Sequence, residues 1–102
     1  MTRIPIACTL TPEAAEDRVG EWRRFLTAHT DVVDHRSPTE VAVRLRPGDD
    51  ALLAAADMAR REKACCSFFT FSIALAADAR WLRVAVPEDA APILSDFVAL
   101  AQ

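Results

Sequence analysis

The stretch REKACCSFFTF, residues 61–71, changes its period part-way through. On its N-terminal side, Leu52, Ala55, Ala56 and Ala59 recur at helical spacing, and the stripe projects forward to Cys66. On its C-terminal side, Phe69, Phe71, Ile73 and Leu75 alternate with Thr70, Ser72 and Ala74. A helix therefore stops near Cys66 and a strand follows at once. That junction makes the chain α+β.

The same reading extends upstream. The run PGDD, residues 47–50, closes a hairpin and opens the helix, with Asp49 or Asp50 as its cap. Two strands precede it, near residues 31–36 and 40–46, joined by the turn residues Ser37 to Thr39. In the second, Val41, Val43 and Leu45 share one face and Glu40, Ala42, Arg44 and Arg46 the other. Before them, Thr11 as N-cap, Pro12 at N1 and Glu13 in the first turn start a helix that runs to about His29. Ala15, Val19, Trp22 and Leu26 form its face. Gly20 weakens its middle by about 1 kcal/mol relative to Ala and predicts a close approach there. Residues 3–10 alternate, with Ile4, Ile6, Cys8 and Leu10 on one face of a strand, and Pro5 marks an edge position or an irregular start.

Downstream, AADA (residues 76–79) makes a turn. Residues 81–86 form the last strand, Pro87 ends it, and a helix over roughly 89–101 presents Ile93, Phe97 and Leu100. The order is β-α-β-β-α-β-β-α, and its first six elements match the split β-α-β of ferredoxin-like domains. The expectation is one α+β domain over residues 1–102. It has a mostly antiparallel sheet of about five strands with helices on one face, and the first strand is central beneath them.

A chain of 102 residues with 52% apolar and 26% charged residues is globular in composition, away from the disordered class. Its net charge of −3 lacks the basic footprint of a nucleic-acid binder. No apolar run approaches the roughly twenty residues of a membrane span. The N-terminal apolar part is short and broken by Pro5, so no signal-peptide pattern is present and the cytoplasm is the default compartment. Thiols there are reduced, and three cysteines cannot all pair within one chain.

Those cysteines are Cys8, Cys65 and Cys66. In helical projection Cys66 falls within the apolar stripe and Glu62 stands at its edge, four residues before Cys66 and three before Cys65. Lys63 also points toward the stripe. Each cysteine has a bland reading, as a small buried hydrophobe, and a functional one, as a thiol site; both stay open for Cys8. A disulfide between Cys65 and Cys66 is strained, because adjacent Cα atoms lie about 3.8 Å apart, below the usual range of about 4.4–6.8 Å. Their place at a helix C-terminus opposes a thiolate, and Arg60, Arg61 and Lys63 offset this only in part.

Soft-metal capture fits better, because a coordinating ion deprotonates its thiols outright. Thiolates select Cu(I), and Hg(II) and As(III) are similarly thiophilic. Zinc lacks the paired CxxC spacing that would single it out. The expected ligands are Cys8, Cys65 and Cys66, with Glu62 as hydrogen-bond acceptor, proton donor or fourth ligand. His29 and His35 read as surface or capping residues. Trp22, Phe25, Trp81 and the cluster of Phe68, Phe69 and Phe71 read as core. No catalytic Ser-His-Asp order, phosphate loop or dinucleotide fingerprint is present.

The segment IACTL near the start, a Trp in the first helix and E-x-x-C-C-x-F-F-x-F before a terminal β-β-α resemble a group of largely uncharacterised small bacterial proteins. They also resemble segments appended to some MerR-type regulators of the mercury-resistance kind. The match falls on Cys8, Glu62, Cys65, Cys66, Phe68, Phe69 and Phe71. Ser67 stands where such proteins often have Pro, which loosens the turn and leaves the thiols in place. The resemblance implies a link to thiophilic metals or thiol sensing and no particular reaction. Three functions follow as expectations. The first is a cytoplasmic domain that binds or senses a soft metal or metalloid ion. The second is a carbon–metal lyase-like enzyme using Cys8, Cys66 and Glu62. The third is a structural or interaction module with buried cysteines, whose partner is a second copy or a regulatory protein.

Overall fold

A computed structural model of the chain describes residues 12–101. Helix α1 spans Pro12–His29, strands β1 and β2 span Thr30–Ser37 and Glu40–Leu45, and helix α2 spans Asp49–Cys65. Strands β3 (Thr70–Leu75) and β4 (Arg80–Ala85) follow, then a short 3-10 turn at Glu88–Ala90 and helix α3 (Ala91–Ala99). These bounds agree closely with the periodicity of the sequence. The strand expected at residues 3–10 lies outside the described residues.

The four strands form one open antiparallel sheet in the order β1-β2-β4-β3. A ferredoxin-like order gives the place beside β2 to residues 3–10. Here β4 takes it, paired along the whole of β2 from Glu40↔Ala85 to Leu45↔Arg80. The apolar faces explain the pairing. Leu82 stands opposite Val43 and Val84 opposite Val41, and all four are essentially buried. Together with Leu45 they face the buried residues of all three helices in a single core cluster. Leu94, Phe97 and Val98 are the contribution of α3; of the residues the sequence pointed to, Phe97 is buried as expected, while Ile93 and Leu100 are only half-buried.

The opposite face mixes Arg44, Arg83, Thr70 and Ser72 with apolar residues, and Ala42, expected on the wet face, is fully buried there. Trp81 belongs to it: it is half-exposed, with the Arg36 guanidinium 5.6 Å from its ring centroid, and is not a core residue. Leu75 continues the β3 alternation but, as the last residue of the strand, is 68% exposed.

Two helix faces differ from expectation. In α2 the buried line is Ala51, Ala55, Met58 and Glu62, while Ala56 is exposed and Leu52 and Ala59 are half-buried. The rotation places Glu62 in the centre of the buried face and not at its edge. Lys63 is exposed. The helix begins after Gly48, whose φ of 112° suits glycine. Neither Asp49 nor Asp50 caps it; both lie in the first turn, where their charge complements the helix dipole. In α1, Trp22, Phe25 and Leu26 are buried while Val19 is exposed.

Gly20 has no close neighbour of the kind its presence predicted. Among the described residues, a Cβ there would meet only the end of the Arg24 side chain, at 3.4 Å. Gly20→Ala is therefore expected to stabilise the protein by about 0.5–1 kcal/mol, read as a raised urea midpoint with unchanged slope. A lower midpoint would show that the helix needs the glycine.

Candidate functional site

Helices α1 and α2 run antiparallel, because Glu21 pairs with Arg61 while Arg18, one turn earlier, reaches Cys65 at the end of α2. Between them lies a buried polar cluster. Glu62, with its side chain 7% exposed, accepts two hydrogen bonds on Oε1. One comes from Trp22 Nε1 at 2.7 Å and the other from Arg18 Nη1 at 3.2 Å. A carboxylate in an apolar face costs several kcal/mol unless it is paired. Here an indole N–H and a guanidinium supply the pairing. Arg18 Nη2 lies 4.0 Å from Cys65 Sγ, the outer limit of a contact to sulfur. Arg18 Nε is buried and 3.4 Å from Glu21 Oε1, within ion-pair reach but without hydrogen-bond geometry.

The charges are ordered by these contacts. Burial pulls the Arg18 guanidinium down, but its bonds to Glu62 and then to Cys65 outweigh that and raise its pKa above the ordinary value. Arg18 therefore stays cationic at any working pH. The Arg61 guanidinium, hydrogen-bonded to Glu21, holds that carboxyl below the usual carboxylate range; partial burial opposes the effect, and Arg18 adds to it. Glu21 contributes stability that is full above the ordinary carboxylate range and lost as pH falls through its lowered value. Acid titration of folding should therefore show stability falling below about pH 4, and Glu21→Gln should flatten that fall.

The end of α2 is fixed by backbone. The Cys66 N–H donates to the Glu62 carbonyl at 2.7 Å. Lys63 Nζ donates to the carbonyls of Ser67 (2.6 Å) and Phe69 (2.8 Å), which satisfies acceptors where the helix turns into β3. Cys65 is half-buried on the side of Arg18. Cys66 is 4% exposed and belongs to the core cluster. Beneath the cluster the aromatics are continuous. Trp22 stacks on Phe71 at 5.9 Å and meets Phe97 edge-on at 4.9 Å; Phe71 continues to Phe69 and Phe68.

Of the expected site residues, the structure brings together Glu62 and Cys65 through Arg18, with Cys66 next in the chain. Cys8 lies outside the described residues. Among those residues no group of three or more His, Cys, Asp or Glu side chains is placed to hold a metal ion. His29 packs on Phe25 at the far end of α1, and His35 is exposed on β1. Sequence reasoning missed Arg18, and it took Trp22 for plain core. Their i, i+4 spacing on α1 was the available signal. No protein-family model, curated protein or solved structure matches the chain. No helix among the described residues is long and apolar enough to cross a membrane.

Proposed function

We propose that the protein is a thiol-based binding module for a soft metal or metalloid ion, held in the reduced protein by Cys65 and Cys66 with Cys8 as a further thiolate. The observation that carries this reading is the Arg18 guanidinium shared between the buried Glu62 and the Cys65 sulfur. The guanidinium, anchored by Glu62, fixes a polar environment beside the sulfur at the end of α2, and sulfur donors are what a soft ion selects. The donor set favours ions content with two or three thiolates, such as Cu(I), Hg(II) and As(III), over tetrahedral zinc, which takes four protein ligands in structural sites.

Glu62 supports binding more than carbon–metal cleavage. Its Oε1 already accepts from Trp22 and Arg18, so the carboxylate acts as an acceptor that anchors Arg18. A lyase would ask it to deliver a proton.

The test is titration of fully reduced, desalted protein with Hg(II), and with Cu(I) in competition with a chromogenic chelator. One equivalent should bind tightly. Cys65→Ser/Cys66→Ser should lower the affinity by at least 100-fold while leaving the circular dichroism spectrum intact. Equal affinity in the double variant would overturn the reading.

A further inference from the structure

Strand β3 is an outer strand of the sheet, so alternate residues along it direct their N–H and C=O groups away from β4, and among the described residues no strand pairs with them. The two edges of the sheet are unlike. β1 carries Asp31, Asp34, His35 and Arg36, and its ladder is broken by register shifts near both ends. Charges and irregularities of this kind keep an edge from pairing. β3 reads TFSIAL, with no charge, proline or glycine and an unbroken register against β4. We propose that the β3 edge is an interface for a second copy of this chain. Antiparallel β3–β3 pairing about a two-fold axis at Ile73 joins the two sheets into one.

The pleat selects that register. Phe71 stands opposite Val84 and Ile73 opposite Leu82, both fully buried, so Phe71, Ile73 and Leu75 share the face that looks at the helices. Residues opposite each other in an antiparallel pair lie on one face, and a slip of one residue would put apolar against polar. Centring the axis on Ile73 sets Leu75 of each copy opposite Phe71 of the other, and Ser72 opposite Ala74. Leu75 is 68% exposed in the single chain, and Phe71 and Ile73 are only half-buried. The pairing covers all three and brings no two charges of β3 together.

Helix α2 fits the same axis. It runs antiparallel to β3: Leu52 and Leu75 line one cavity together, while at the other end Lys63 Nζ holds the carbonyl of Phe69. Between these points a groove of about 480 Å3 is floored by Thr70 to Ile73 and walled by Ala56, Ala59, Arg60 and Lys63. Two strand residues from Leu75 back to Ile73 rise about 7 Å, the length of roughly four to five helix residues. The axis therefore falls near the level of Ala56, a small exposed residue that allows a close approach. Asp49 lies seven residues before Ala56 and Lys63 seven after it, on one flank of the helix. The two-fold brings Asp49 of each copy level with Lys63 of the other. Lys63 gives two of its N–H groups to Ser67 and Phe69, which leaves one for a carboxylate. Leu53, 66% exposed, lies on the flank that carries Arg60. Arg61 and Cys65 meet α1 on a different flank, so the pairing stands or falls apart from the ion-binding reading.

The test is sedimentation equilibrium of the full chain in reductant, which removes intermolecular disulfides, from micromolar to millimolar concentration. A reversible monomer–dimer equilibrium is expected. Hydrogen exchange followed by mass spectrometry should show the Thr70–Leu75 segment gaining protection as concentration rises, with β1 unchanged. Leu75→Lys places a charge opposite Phe71 twice in each dimer and should weaken association by at least about 100-fold. It should leave the circular dichroism spectrum unaltered, because Leu75 is exposed in the single chain. A wild-type protein that stays monomeric at millimolar concentration overturns the proposal, whatever other segment the edge then takes. So does a dimer whose β3 amides exchange as fast as in the monomer, or one that Leu75→Lys leaves equally tight. If Leu75→Lys fails to fold, wild-type exchange against concentration still decides the interface.

Discussion

Arg18→Met is expected to destabilise the protein by about 3 kcal/mol, an effect far larger than a surface ion pair would give. The guanidinium is the only cation bonded to Glu62 among the described residues, and both side chains are largely buried. Met fills the space of the aliphatic stem but leaves a carboxylate in an apolar face. Trp22 Nε1 still donates to it, which keeps the loss at the lower end of the range for a broken buried pair. The double variant Arg18→Met/Glu62→Gln should recover about half of the loss or more. The amide carbonyl can accept from Trp22 and carries no charge to desolvate. Urea unfolding of the four proteins closes the cycle. If Arg18→Met alone costs under about 0.5 kcal/mol, the pair is solvated and the site as described does not exist. Trp22 fluorescence offers a second readout, because its indole bonds directly to the cluster.

How much of this was legible in the sequence follows from what kind of signal each feature leaves. The junction at Cys66 was legible, because period 3.6 gives way to period 2 within a few residues. The hairpin β1–β2 was legible for the same reason, with turn residues at its tip. The face of α2 was misread by one position. Residues 51–59 are mostly alanine, which fits any face, so only Met58 and Glu62 mark the buried line, and both read as poor core residues out of context. The place of β4 between β2 and β3 was not legible at all. Strand order depends on which apolar faces meet across the whole chain, and Leu82 and Val84 show no local preference for Val43 and Val41 over other partners. Arg18 was hidden by its charge and by the 44 residues that separate it from Glu62. A charged residue on a helix reads as solvated face until a buried carboxylate appears opposite it. The buried polar cluster thus joins one residue found by motif, Glu62, to one that only the fold reveals.

Leu82→Ala is expected to cost about 3–4 kcal/mol. Leu82 is 0% exposed and sits in the middle of the sheet, between Val43 of β2 and Ile73 of β3. The strands on both sides are held by ladder hydrogen bonds, so the cavity cannot close by moving one of them, and the loss should lie above the minimum for such truncations. For a domain of this size each kcal/mol lowers the melting temperature by roughly 4–8 °C, so a fall on the order of 15 °C or more is expected by calorimetry. Such a loss is a large part of the roughly 5–15 kcal/mol that holds a small domain folded. The reduced variant, held well below its melting temperature, should nevertheless bind Hg(II) with unchanged affinity. Leu82 lies on the core face of the sheet, whereas Cys65 and Arg18 meet between α1 and the end of α2. Arg18→Met should move both stability and ion affinity, because Arg18 belongs to both. A Leu82→Ala variant that is folded yet binds tenfold more weakly would mean that the site is shaped by the sheet beneath it and not by the contact between α1 and α2.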